Sequence, residues 1–156
     1  MSNDDDTETL ARAIHQDYLR RQDAEGGDTS ADPSRAPWET LPESLRQSNR
    51  SQAADIERKL TAISCEAVGA DGIREPVREF SPKEVEVLAH LEHERWMHER
   101  LASGWVFGPV KDVDTKRSPY LVPWDELSEE VRDLDRDTVR QIPQFLAGLG
   151  LVVVRR

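Results

Sequence analysis

The sequence predicts a mainly α-helical domain with short β-strands, made of two repeats of one helix–loop–turn–helix unit packed about a pseudo-twofold axis. Three observations predict it. Apolar residues recur at spacings of three and four in the closing segment of each half. Strand signals are confined to two short stretches bounded by glycine. The third is an internal repeat. Leu10, Ala11, His15, Tyr18 and Leu19 match Leu88, Ala89, His93, Trp96 and Met97 at an offset of 78. Pro37-Trp38-Glu39-Thr40-Leu41 matches Pro123-Trp124-Asp125-Glu126-Leu127 at an offset of 86. The second match continues through Glu43 and Glu129, Leu45 and Val131, Arg46 and Arg132, Arg50 and Arg136, Ile56 and Ile142, and Leu60 and Leu146. The offset grows because the connecting segment is longer in the second copy, residues 101–122 against 23–36. Neither copy has much core alone, so the two are expected face to face.

Each element follows from local chemistry. The first helix is expected from about Thr7 to Gln22, and the Gly-, Asp-, Ser- and Pro-rich segment Asp23 to Ala36 as a flexible loop. The second copy opens on Ser81-Pro82-Lys83-Glu84, a capping box with proline at the first helical position, flanked by Phe80 and Val85 as a hydrophobic staple. Its helix is expected over Pro82–Ala102, with Gly104 ending it. The closing helices carry equivalent stripes, Ala53, Ile56, Leu60 and Ile63 against Val139, Ile142, Leu146 and Leu149, with Pro143 expected to delay or kink the second. Leu151–Val154 reads as a strand, with Trp105-Val106-Phe107 as its natural partner. These boundaries divide the chain into a first repeat over 1–68, a linker over 69–80 and a second repeat over 81–156.

Composition narrows the function. The formal net charge of −10 gives no general attraction for polymeric nucleic acid or an anionic membrane surface, though a local basic pocket remains open to the 21 Lys and Arg. The nearly apolar run Phe145–Val154 is too short, and too rich in glycine, to span a membrane as a helix. The acidic start, Met1 to Asp6, has neither the basic nor the apolar region of a secretory signal. A cytoplasmic protein is expected. Cys65 is the only cysteine and reads as a structural thiol.

Three groups of residues could carry chemistry. His93, Trp96 and Arg100 share one helical face: a hydrogen-bonding ring, a flat aromatic and a cation. The first copy has His15, Tyr18 and Gln22 there, without the cation. Trp38 with Arg50, and Trp124 with Arg136, repeat one spacing, and indole plus guanidinium suits a flat, anionic ligand. The long loop 103–122 adds Trp105, Lys116 and Tyr120. Each group has a structural alternative: an internal polar seam for the histidine face, and a clamp on the Pro-Trp turn for the arginines. The charge run Asp125–Asp137 reads as a solvated helix face. His93 and His98 project about 140° apart on a helix, so they do not form a zinc site. No catalytic residues, cofactor or metal site are expected.

The second copy resembles the RyR (ryanodine-receptor repeat) domain family. The resemblance rests on Leu88-Ala89, His93, Trp96, Gly104-Trp105-Val106-Phe107-Gly108, Pro119-Tyr120-Leu121-Val122-Pro123-Trp124, Leu127 and Asp135-Arg136, over about residues 82–154. Phe107 and Trp124 stand where the family has Tyr, and Ser118 where His often precedes the proline. Residues 7–68 resemble the same repeat more weakly. The resemblance implies RyR-type repeats paired as one domain, in a bacterial-type stand-alone member. It also implies a ligand-sensing or interaction role, with adenine or cyclic nucleotides as the ligand class. The expected function is therefore a non-catalytic sensor holding a small anionic, nucleotide-like ligand between the repeats. The alternative is a protein–protein interaction module of a larger channel-regulatory or defence assembly.

Overall fold

The computed structural model describes residues 4–25, 33–72 and 74–156. In chain order come α1 (Asp4–Glu25), 3-10 turns at Pro33–Arg35 and Trp38–Thr40, α2 (Glu43–Ala54), α3 (Ile56–Ala62) and β1 (Cys65–Gly69). Then follow α4 (Pro82–Ala102), β2 (Val106–Phe107), β3 (Arg117–Ser118), a 3-10 turn at Trp124–Glu126, α5 (Glu129–Arg140), α6 (Ile142–Ala147) and β4 (Leu151–Arg155). The protein is mainly helical with short strands. The series helix, Trp-led 3-10 turn, two helices, strand occurs twice. Of the loop expected over 23–36, residues 26–32 lie outside the described residues, while 23–25 extend α1.

The ends of α4 obey their sequence signals. The Ser81 hydroxyl accepts from the Glu84 N–H, and the Glu84 carboxylate accepts from the Ser81 N–H. At the other end Gly104 takes φ +91°, its N–H donating to the Leu101 carbonyl while the Trp105 N–H reaches the Arg100 carbonyl. That is a Schellman cap, and it folds Trp105 back over Arg100. The long closing helix of each copy breaks in two, at Asp55 and at Gln141. Pro143 alone does not cause the break, because the first copy breaks at the same place with Glu57 in the equivalent position.

The strand pairing differs from the sequence expectation. β4 pairs antiparallel with β1, not with 105–107, and β2 pairs in parallel with β3 inside its own loop. The cap at Gly104 turns β2 into that loop, and at Gly108 a Cβ would sit 2.8 Å from the Arg117 Cβ, so the close approach of the two segments needs glycine. Cys65-Glu66-Ala67-Val68-Gly69 carries little β-propensity and becomes a strand through its partner. In the β1–β4 register Ala67 faces Val153, a position 86 further on. An antiparallel pair in which equivalent positions meet is what a local twofold axis through that pair produces.

One hydrophobic core takes side chains from both halves, among them Leu10, Ile56 and Leu60 with Leu88, Ile142 and Leu146. A buried ion cluster crosses it. Lys59 on α3, 1% exposed, donates to the Glu92 carboxylate on α4 at 2.7 Å. Arg95 grips the same carboxylate with two hydrogen bonds of 2.9 Å and reaches Glu99 at 3.2 Å. Burial alone would raise the Glu92 carboxyl, but Lys59 and Arg95 outweigh it and hold it below the usual range. Removing Lys59 takes the shortest hydrogen bond from the buried Glu92 carboxylate, leaves it to Arg95 alone, and opens a cavity where the lysine stem was packed. We therefore expect Lys59→Ala to cost about 3–5 kcal/mol in urea denaturation. Arg58→Ala, one residue away in an exposed pair with Asp55, should cost less than about 1 kcal/mol.

Candidate functional site

The same polar contacts hold both Pro-Trp turns. Arg46 donates to the Trp38 carbonyl at 2.9 Å and Arg132 to the Trp124 carbonyl at 3.0 Å. Arg50 binds Glu8 (2.7 and 3.3 Å) and Glu43, and Arg136 binds Glu86 (2.9 and 3.0 Å), Glu129 and Asp133. The Arg136 hydrogen bond holds the Glu86 carboxyl below its ordinary range, and Arg50 does the same to Glu8. The guanidinium carbons of Arg50 and Arg136 lie 5.7 and 5.6 Å from indoles that are themselves buried. Arg50 and Arg136 thus spend their donors inside the fold, the Trp124 indole N–H donates to Glu86 at 3.2 Å, and both tryptophan rings are buried under arginines. Glu8 and Glu86 complete the motif at the same offset of 78 as the histidines.

The histidines are equally matched. His15 Nε2 lies 2.6 Å from the Ala36 carbonyl and His93 Nε2 lies 2.7 Å from the Val122 carbonyl. A carbonyl only accepts, so Nε2 carries the proton in each. Each ring also meets its turn's tryptophan, His15 on Trp38 at 6.2 Å and His93 on Trp124 at 6.0 Å. The histidine ties the long helix to the segment before the Pro-Trp turn in both copies.

What the copies do not share is Arg100. Its guanidinium carbon lies 5.7 Å from the Trp96 ring and 5.5 Å from the Trp105 ring, the second placed there by the Schellman cap. Glu99 is 3.7 Å away, and Arg100 donates no hydrogen bond among the described residues. Burial lowers its pKa, only partly offset by Glu99. Gln22, its counterpart, accepts a hydrogen bond from Arg35. Arg100 is one wall of a cleft of about 280 Å³ between the halves, lined also by His15, Tyr18, Arg21, Lys111 and Asp135. Arg21 donates to Asp17 and to Thr138 at 2.9 Å across the halves, and its Nε–H is buried without a partner among the described residues. Lys116 donates to the Ser103 carbonyl, and Tyr120 is exposed on the same long loop; neither is among the cleft walls.

Residues 78–155 match the RyR domain family model. The chain belongs to the RyR domain family. The match spans α4 through β4, so the RyR domain's own unit ends on the strand that pairs with β1. Among the described residues of this RyR protein no helix is long and apolar enough to cross a membrane.

Sequence reasoning missed Asp135 as a cleft residue, because it sits in a charge run that reads as a solvated face. Burial, then the nearby Glu92, pushes its carboxyl up to about 8, against weaker pulls from Lys59, Arg95 and Arg21. His93 Nδ1 is 3.9 Å away. A carboxyl with a raised folded-state pKa binds its proton more tightly folded than unfolded, so its ionisation erodes stability as pH climbs from about 4 towards 8. The quarter of the side chain that water still reaches screens this in part. Asp135→Asn should therefore gain melting temperature relative to wild type between pH 5 and pH 8. A constant difference across that range would place the ionised carboxylate comfortably in the fold.

Proposed function

We propose that this RyR domain is a non-catalytic, cytoplasmic ligand sensor whose inter-half cleft binds a small anionic ligand of the adenine- or cyclic-nucleotide class. The observation that carries the reading is Arg100: a guanidinium held between two indoles at the cleft with its hydrogen-bonding capacity unspent. A planar cation of this kind binds phosphate through paired hydrogen bonds. Lys111, with no ion pair among the described residues, and the spare Nε–H of Arg21 add donors. Charge bookkeeping favours an anion. Glu92 is committed to Lys59 and Arg95, and Asp135 stays largely protonated at neutral pH. Tyr18, Asn49 and Gln52 offer groups for a base or sugar. The volume sits at the lower edge of ordinary ligand pockets, roughly 300–1,000 Å³, which suits one mononucleotide-sized molecule.

A second reading, a protein-interaction module, is favoured by one observation. Val106, Phe107, Val110 and Val113 are exposed together on the long loop.

Thermal-shift and calorimetric titration with AMP, ADP and cyclic AMP tests the first reading. Saturable binding should raise the melting temperature. Arg100→Ala should weaken it by about 1–3 kcal/mol with little loss of stability. Gln22→Ala should do much less, and Arg136→Ala should lower the melting temperature of the ligand-free protein. Normal binding by Arg100→Ala would move the ligand elsewhere. No binding of any of the three would favour the interaction reading.

A further inference from the structure

Both edges of β4 are used. One pairs with β1. Along the other the chain itself returns: Pro76 bridges Val154, and the Val77 N–H donates to the Val153 carbonyl at 2.7 Å. Val77 and Phe80 pack, partly buried, against the core. β1 is the equivalent strand with a different fate. The Arg156 N–H donates to the Ser64 carbonyl and the Ala70 N–H to the Gly150 carbonyl, at 2.9 and 3.0 Å. Those two bonds fix the alternation of the antiparallel ladder. Residues 66 and 68 aim their backbone groups at β4, and Cys65 and Ala67 aim theirs away. Nothing among the described residues hydrogen-bonds to the outward backbone groups of Ala67. Yet Ala67 is the counterpart of Val153, the residue that accepts from Val77.

Beside this open edge lies a groove of about 240 Å³ between α3 and β1, lined by Glu57, Leu60, Thr61, Cys65, Ala67 and Arg156. The counterparts of Glu57, Thr61 and Glu66 in the second half are Pro143, Ala147 and Val152. The first half's edge is open and carries two carboxylates, with Arg156 beside them, where the edge the chain covers itself has Pro143, Ala147 and Val152. Glu66 lies 3.7 and 3.8 Å from Arg74 and Arg156, whereas Glu57 has no ion pair among the described residues.

We propose that the outer edge of β1 is a docking site for an extended segment of a partner protein. The segment adds as a strand, a β-branched residue donating its N–H to the Ala67 carbonyl, with a basic residue beside it facing Glu57. The chain's own Pro76-Val77 on β4 is the template for the contact. Open strand edges recruit extended peptides in this way, with main-chain bonds supplying affinity and side chains specificity.

The probe is the heptapeptide Arg-Lys-Pro-Val-Arg-Lys-Phe, which is residues 74–80 with lysine in place of both glutamates. It is titrated into the intact 15N-labelled chain. Saturable 1:1 binding is expected, with amide shifts at Cys65, Ala67 and Val68. N-methylation of the peptide's valine removes the donated N–H and should weaken binding by roughly tenfold. Thr61→Trp, an exposed helix position at the groove, should do the same while leaving the rest of the spectrum unchanged. Four results would overturn the proposal: no saturation up to about 1 mM peptide, indifference to N-methylation, shifts confined to the β4 edge, or a concentration-dependent dimer that protects the β1 amides. The last would assign the edge to a second copy of the chain.

Discussion

A lysine 1% exposed in the core of a 156-residue chain is a large electrostatic liability, and Lys59 is held there by Asp55 of its own half at 3.5 Å and, more closely, by Glu92 reaching it from the other half at 2.7 Å. The pair crosses from α3 to α4, and Arg95 and Glu99 extend it along α4 to Ser51 and Ser48 of α2. Arg95 finds Glu92 and Glu99 on its own helix and Lys59 finds Asp55 on its own side, but the Lys59–Glu92, Arg95–Ser51 and Ser48–Glu99 bonds form only when the two halves are docked in one register. Hydrophobic contact between two apolar stripes would tolerate sliding, whereas a buried ion cluster does not. With α3 fixed against α4, the β1–β4 ribbon joins the two halves and the cleft with Arg21, Arg100 and Asp135 is lined from both.

Duplication then separates scaffolding from function. What occurs twice holds the fold: the arginine on each Pro-Trp turn, the glutamate that caps it, and the histidine bonded to the carbonyl before it. What occurs once is where the halves have diverged. Arg100 stands opposite Gln22, the longer loop brings Trp105 and Lys111, and β1 keeps an edge that β4 covers. The Schellman cap at Gly104 links local sequence directly to the site. One glycine with positive φ ends α4 and thereby lays Trp105 on Arg100.

Much of the helical architecture was legible in the sequence because its signals are local. The capping box at Ser81, the glycine after α4 and the three-and-four spaced stripes each act within one or two turns. The β1–β4 pair was hidden, since Cys65–Gly69 has no strand-like composition and its pairing is decided by a partner some 86 residues away. Lys59 was illegible for a related reason. A charge inside an apolar stripe looks like an interruption until Glu92 is placed opposite. The arginines of the Trp–Arg motif advertised a ligand site equally well as a clamp, and Glu8 and Glu86, at the histidine offset, were the available clue. Asp135 was masked by exposed neighbours in its charge run, only one face of which turns inward.

The buried Lys59–Glu92 cluster should make the two halves one cooperative unit. Native-state hydrogen exchange in low urea tests it most directly, because it resolves the opening of each half in the intact chain. The most protected amides of α1 and α3 should share one free energy of opening, and one dependence on urea, with those of α4 and α6. If the first half's slowest amides instead opened at a distinctly lower free energy, with a shallower urea dependence, the halves would be separable domains and the cluster a local contact.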